Sequence, residues 1–189
     1  RLDGQPSHDI IALSVELLTN LEHRGAVGGD KATADGAGLL LQIPHGFLRE
    51  ETERIGFTLP PWGDYAVGMV FLPREEKAGA ACVAAFQRIA AREGCMALGW
   101  RRVPVDKEAL GEFALATMPD IRQVFIARGD IPRGAFERKL YVIRRCVEKE
   151  VQRDICPPED GASFYVASLS CATIAYKGML VGSQLTRFY

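Results

Sequence analysis

The stretch LEHRGAVGGDKATADGAGLL, residues 21–40, places five glycines within fourteen positions and runs straight into an apolar segment. Before it, Ser7 is a suitable helix N-cap, and Ile10, Leu13, Leu17 and Leu21 recur at helical spacing. We expect this helix to end at Arg24-Gly25, since a cation followed by glycine is typical of helix C-termini. The apolar residues 39–44 predict a buried strand. The segment therefore predicts a helix, a glycine-rich loop and a strand in that order.

Further along the chain, strand-like and helix-like segments alternate, which predicts an α+β protein. The apolar run YAVGMVFL, residues 65–72, is typical of a strand covered on both faces. The segment 131–154 predicts the longest helix, because its apolar residues form one stripe. The other predicted helices are 45–56, 77–93, 106–117 and the start of one at 183–189. The other predicted strands are 96–103, 123–127 and 164–180, the last as two strands or one bent strand.

Composition excludes several functional classes. The chain has 189 residues, 48% hydrophobic and 25% charged, and a formal net charge of −1. This charge gives no support for nucleic acid or a membrane surface as a partner, and no apolar stretch is long enough to span a membrane. The five cysteines are odd in number and lack C-x-x-C spacing, so we expect free thiols and a cytoplasmic protein. The three histidines lack metal-ligand spacing, and no metal site is expected.

The glycine-rich loop itself has two interpretations. It lacks the P-loop pattern, and it follows a helix instead of opening one, which excludes a dinucleotide fingerprint. Its glycines either serve tight turns, with Arg24 capping the helix, or let the backbone approach a small ligand whose carboxylate pairs with Arg24. The Asp35-Gly36 pair favours a turn in which Asp35 hydrogen-bonds its own backbone and Gly36 takes positive φ. The residues alone leave both interpretations open.

Two later segments are weaker candidates. AYKGML, residues 175–180, predicts a strand that ends in a bulge or turn at Gly178, with Lys177 solvated. Cys156 has no partner histidine in the sequence pattern and is followed by two prolines, so we do not expect it to be a nucleophile.

Taken in order, NLEHRGAVGGDKATADGAG, RQVFIARG and AYKGMLVGSQLTRFY resemble the class II glutamine amidotransferase (glutaminase) domain of glutamate synthase large subunits. The resemblance covers essentially the whole chain, 1–189, as one domain. The HRG triplet recurs in related amidotransferases, whereas DGAG joined to LLLQIPH, together with YKGML, points to glutamate synthase. The resemblance implies the Ntn-hydrolase fold, a four-layer α/β/β/α sandwich. It also implies hydrolysis of L-glutamine to glutamate and ammonia, which is channelled to the amination of 2-oxoglutarate.

The resemblance also implies site residues. Arg24 is the expected substrate-side or gating contact, and Gly25 and Asp35 support the loop. No catalytic residue is expected within the chain, because this family uses an N-terminal cysteine whose own α-amine acts as the base. The family's C-G-x-G-F start, its Asn-Gly oxyanion hole and its R-F-S-T-N segment do not occur here. We therefore expect a domain incomplete at both ends, without its N-terminal catalytic strand and inactive by itself.

Cofactors and partners follow from the same resemblance. FMN and an iron–sulfur cluster are implied for the full-length enzyme, in later domains, with no cofactor in this chain. The implied partners are L-glutamine, the downstream synthase domains of the same polypeptide and, in some enzymes, a small electron-donating subunit. The sequence leaves open the electron donor (NADPH, NADH or ferredoxin) and the oligomeric state. Two alternatives remain: another class II amidotransferase, such as a phosphoribosylamine-forming one, or a catalytically dead ligand-sensing or structural relative.

Overall fold

A computed structural model describes residues 7–22, 33–157 and 164–189 of the chain. Helices and strands are both well represented there, which confirms the predicted mixture of α and β structure. The helices are α1 (His8–Asn20), α2 (His45–Arg54), α3 (Glu76–Arg92), α4 (Glu112–Thr117), α5 (Arg133–Asp154) and α6 (Leu185–Phe188). The strands are β1 (Ala37–Gln42), β2 (Tyr65–Leu72), β3 (Met96–Arg102), β4 (Asp120–Ala127), β5 (Tyr165–Ser170) and β6 (Thr173–Gly178). None of the helices in these ranges is long and apolar enough to cross a membrane.

The chain divides into two compact units. The first comprises Arg1–Leu39, Pro104–Met118 and Tyr176–Tyr189, and the second comprises Leu40–Val103 and Pro119–Ala175. Each unit is assembled from segments that are distant in sequence.

An antiparallel sheet with the strand order β3-β4-β2-β5 forms the centre of the second unit. Val67 on β2 lies opposite Phe125 on β4 and Ser170 on β5, so β2 is paired on both edges. Seven of its eight residues are buried, as the continuous apolar run predicts. The register against β5 shifts between Met69 and Val70.

Helices α3 and α5 contribute further side chains to the main hydrophobic core. Phe86 from α3 packs there with β-strand residues such as Val70 and Val124. The apolar stripe predicted on α5 is confirmed, since all of its members are fully buried: Phe136, Leu140, Ile143, Val147 and Val151. Burying one large apolar side chain contributes roughly 1.5–3 kcal/mol, so this stripe holds α5 firmly in the core.

A buried cation joins α2 to the sheet in the same unit. The Arg101 side chain donates to Glu51 and, through Nη1, to Gln123 Oε1 at 3.1 Å. Its guanidinium also lies 5.4 Å from the centre of the Phe47 ring. Hydrogen bonding from Arg101 lowers the pKa of Glu51. A buried charge is tolerated when it is paired and hydrogen-bonded in this way.

The first unit contains α1, whose N-terminus agrees with the prediction. The Ser7 hydroxyl caps the helix by accepting a hydrogen bond from the Asp9 amide at 3.2 Å. The regular α-helix ends at Asn20, with a turn at Leu21 and a 3-10 conformation at Glu22, and the expected end at Arg24-Gly25 lies outside the described residues. The helical repeat of Ile10, Leu13, Leu17 and Leu21 is present, but these side chains are exposed.

The helix predicted over 106–117 is also wrong as a continuous element. A short 3-10 turn, Lys107–Ala109, precedes α4, and Gly111 separates them in an extended conformation. Glycine carries a large entropic cost in a helix interior, which explains the interruption. The segment 164–180 forms two strands, and a helix starts within 183–189 as predicted.

Truncation of the core side of α5 should destabilise the protein strongly. Phe136→Ala removes a fully buried ring and leaves a cavity, so we expect the free energy of unfolding to fall by about 3–5 kcal/mol. Tyr141→Ala on the same helix is the control, because Tyr141 is 65% exposed. Urea unfolding of both variants measures the effect, and equal losses would contradict this assignment of the core.

Candidate functional site

Strands β1 and β6 pair in a two-stranded sheet, and this pairing brings two motifs together. DGAG, residues 35–38, leads into β1, and AYKGML, residues 175–180, contains the end of β6. A Cβ added at Gly38 would lie 2.5 Å from the Lys177 Cβ and 2.8 Å from the Tyr176 carbonyl oxygen. Real Cβ atoms do not approach so closely, so only glycine allows this contact between the two backbones.

The turn before β1 has the predicted conformation. Gly36 takes a φ of +130°, in the region that favours glycine, and an added Cβ there would lie 3.0 Å from the Gly178 carbonyl oxygen. Thr33 is buried at one end of the turn, whereas Asp35 is exposed. The predicted positive φ at Gly36 is confirmed, and the Asp35 side chain is exposed.

The other strand of the pair is held from the C-terminal segment. The Tyr189 hydroxyl donates to the Lys177 carbonyl oxygen at 2.7 Å, and the Tyr189 ring meets the Tyr176 ring edge-on at 5.1 Å. Burial raises the pKa of Tyr189, so its hydroxyl stays protonated and remains a donor. Lys177 itself is half-buried, which corrects the expectation of a solvated side chain. β6 ends at Gly178, as predicted.

The three predicted site residues have different outcomes. Arg24 and Gly25 lie outside the described residues, so their roles stay predictions. Asp35 is the first residue of the DGAG motif, which leads into β1. No local sequence pattern predicts the pairing of DGAG with YKG, because the two motifs are distant in sequence.

The cysteines within the described ranges are poor candidates for nucleophiles. Burial raises the pKa of the Cys82 thiol to about 12 and that of Cys171 to about 11. The thiolate is the nucleophilic form, so only a very small fraction of these thiols is in that form at neutral pH. The Cys156 sulfur lies 3.9 Å from that of Cys82. Among the described residues, no three His, Cys, Asp or Glu side chains converge as a metal site would require.

A comparison with known proteins shows to which family the chain belongs. The model of the class-II glutamine amidotransferases matches residues 1–189. The chain belongs to the class-II glutamine amidotransferases. This confirms the resemblance deduced from the HRG and DGAG motifs.

Several of the known proteins to which the chain is similar are glutamate synthases. The chain is 42% identical over its full length to the glutamate synthase [NADPH] large chain of Bacillus subtilis. It is 35% identical to glutamate synthase [NADH] of Schizosaccharomyces pombe and 34% identical to ferredoxin-dependent glutamate synthase 2 of a Synechocystis species, again over its full length. It spans 12%, 9% and 12% of these proteins, respectively. Relatives with three different electron donors match similarly, so this part of the chain does not identify the donor.

The contact between β1 and β6 should be sensitive to one methyl group. Gly38→Ala places a Cβ against Lys177 and Tyr176, so we expect a loss of about 1–3 kcal/mol in the free energy of unfolding. Gly46→Ala is the matched control, because nothing lies within 4 Å of its added Cβ and alanine favours the helix there. Thermal or urea unfolding of both variants measures the difference. A Gly38→Ala variant as stable as the parent would show that the contact is not tight.

Proposed function

We propose that this chain is the glutaminase domain of a glutamate synthase. In this role it takes part in hydrolysing L-glutamine to glutamate and ammonia, and the ammonia serves the amination of 2-oxoglutarate elsewhere in the protein. The observation that carries the proposal is the similarity to glutamate synthases over the entire chain. The pairing of DGAG with YKG supports it, because the two motifs that carry the resemblance form one local structure.

In this proposal Arg24 binds the substrate and does not transfer protons. A guanidinium presents two parallel N–H donors, which match the α-carboxylate of glutamine. Gly25 gives the backbone next to it room to approach the ligand. Asp35 supports the same loop from its other end, where Gly36 and Gly38 fix the chain against β6. The loop 24–38 then forms one wall of the glutamine pocket.

The nucleophile in this proposal is an N-terminal cysteine that is not among the five present here. Its thiol attacks the amide carbon of glutamine, ammonia leaves, and water releases glutamate from the thioester. The five cysteines are internal, so none carries the free α-amine that acts as the base. The raised pKa values of Cys82 and Cys171 also support a nucleophile from outside these residues.

The finer architecture belongs to the same proposal. We assign both compact units to one Ntn-hydrolase domain, an α/β/β/α sandwich whose N-terminal catalytic strand is not among these residues. The antiparallel sheet with α3 and α5 packed on it has the composition of one half of such a sandwich. The family match across both units supports a single domain.

The resemblance to glutamate synthases implies FMN and an iron–sulfur cluster for the full-length enzyme, and the described cysteines of this chain do not fit the cluster. A cluster takes about four cysteine ligands. The cysteines in the described ranges do not converge in that way, and only Cys82 and Cys156 are in contact. We therefore propose that both groups, and the contact with an electron-donating subunit, reside in other parts of a cytoplasmic synthase. No step of the glutaminase reaction proposed here uses either group.

The test is Arg24→Ala in the intact protein. Loss of a charge-assisted contact with the substrate should lower kcat/KM for glutamine about 10–100-fold, because such bonds contribute roughly 1.5–3 kcal/mol. Glutamate synthesis from free ammonia should stay unchanged. Arg102→Ala is the control, since the Arg102 side chain is 77% exposed and pairs with Asp120 at the surface. Both rates are measured with glutamine or ammonia as the nitrogen source.

The outcome separates the alternatives. Equal loss of both activities would overturn the substrate-side role of Arg24. Amination of an acceptor other than 2-oxoglutarate would indicate a different class II amidotransferase. Absence of any glutamine hydrolysis in the intact protein would leave the ligand-sensing or structural relative.

A second expectation concerns the 189 residues by themselves. Without an N-terminal cysteine and an oxyanion hole they should not hydrolyse glutamine, since one oxyanion donor contributes about 3 kcal/mol to catalysis. Ammonia release from glutamine, measured on the purified 189-residue protein, checks this. Turnover above that of a heat-denatured control would contradict the expectation.

A further inference from the structure

Two buried thiols from distant parts of the chain lie in direct contact in the second unit. The Cys82 sulfur is 3.9 Å from the Cys156 sulfur, although 74 positions separate the residues. Cys82 is on α3, and Cys156 follows the last turn of α5. The surroundings are apolar, because both side chains belong to the main hydrophobic core. The amidotransferase chemistry proposed above uses neither thiol.

From this contact we infer that Cys82 and Cys156 form a specific oxidation site, at which a peroxide converts the two thiols into an intramolecular disulfide. Two S–H bonds and the O–O bond of the peroxide break, and one S–S bond forms. With hydrogen peroxide the two thiol protons and two electrons pass to the oxidant, which leaves as two water molecules. A dithiol reductant reverses the change.

The two sulfur atoms must move closer together before they can bond. Disulfide formation requires the sulfur atoms to approach by about 1.9 Å from their present separation, to a bond of about 2.05 Å. Rotation about the Cα–Cβ bond of either cysteine moves its sulfur on this scale. Cys156 lies outside the regular helix, with its amide donating to the Val151 carbonyl oxygen at 2.7 Å. The backbone at this end of the pair is therefore not held in a continuous helix.

The environment makes the reaction slow but selective. Burial, together with the neighbouring Cys156 sulfur, raises the pKa of the Cys82 thiol to about 12, so little thiolate forms at neutral pH. An accessible thiolate would react faster and with any partner. Here, whichever of the two sulfurs is oxidised first has the sulfur of the other cysteine as its neighbour. No other pair among the described cysteines is in such contact.

The other cysteines provide matched controls. Cys95 is as buried as Cys156, at 4% and 3% exposure, and burial also raises the pKa of its thiol. Cys95 is therefore similar in accessibility but lacks the neighbouring thiol. Cys146 is half-buried and reports on general oxidation.

The experiment is peptide mapping of the intact protein before and after treatment with hydrogen peroxide, with free thiols alkylated in denaturant. Trypsin cleaves after Lys77, Arg88 and Arg153, and a glutamate-specific protease cleaves after Glu159. The double digest gives peptides 78–88 and 154–159, which carry Cys82 and Cys156 apart from the other cysteines. We expect a linked 78–88/154–159 species to change from undetectable to the major form of both peptides, and a dithiol to remove it.

Cysteine variants test whether the linkage is specific to Cys82 and Cys156. Cys82→Ser and Cys156→Ser should each abolish the linked species, whereas Cys95→Ser should retain it. Two free, alkylated thiols after oxidation, or linkage of either cysteine to another partner, would overturn the inference. If a serine variant does not fold, mapping of the parent protein and of Cys95→Ser still decides. The result is independent of glutaminase activity, so it can fail or succeed without affecting the proposed function.

Discussion

The approach of β1 to β6 depends on a lack of side chains. At Gly38 an added Cβ would overlap both the Lys177 Cβ and the Tyr176 carbonyl, and at Gly36 it would press on the Gly178 carbonyl. Because neither glycine has a side chain, the β1 backbone can approach the β6 backbone this closely. The position of the DGAG turn, and with it the accessible Asp35, is set by this steric constraint and by the Tyr189 hydroxyl that holds Lys177.

Hydrophobic patterns in the sequence predicted the elements that are buried in a regular way along their whole length. The continuous apolar run of β2 and the single stripe of α5 led directly to a buried strand and a core helix, because burial alone determines both patterns. The hydrophobic pattern gave a wrong prediction where another feature of the local sequence acted against it. Gly111 interrupts the helix predicted over 106–117. The exposed Ile10, Leu13, Leu17 and Leu21 show that helical periodicity alone does not establish burial.

The candidate site could be predicted only in part. The glycines and Asp35 were recognisable as a turn, and the motifs were sufficient to recognise the family. The pairing of residues 35–38 with residues 176–178 was not predictable, since no spacing rule connects segments about 140 positions apart. The contact of Cys82 with Cys156 could not be predicted either, because 74 positions separate the two residues. No sequence pattern predicts the burial of Arg101 either, because Glu51, Gln123 and Phe47, which surround it, lie on other elements.

The β1–β6 pairing also bears on how the chain folds. The strands β2, β3 and β4 lie within one continuous stretch of sequence, whereas β1 must find β6 across about 140 residues. Closing a loop of that length costs chain entropy that no contact offsets until the strands meet. The β3-β4-β2 part of the sheet can therefore form first, whereas the β2–β5 and β1–β6 pairings both close long loops and form later. Kinetically, the DGAG turn would be among the last parts of the chain to acquire its native conformation.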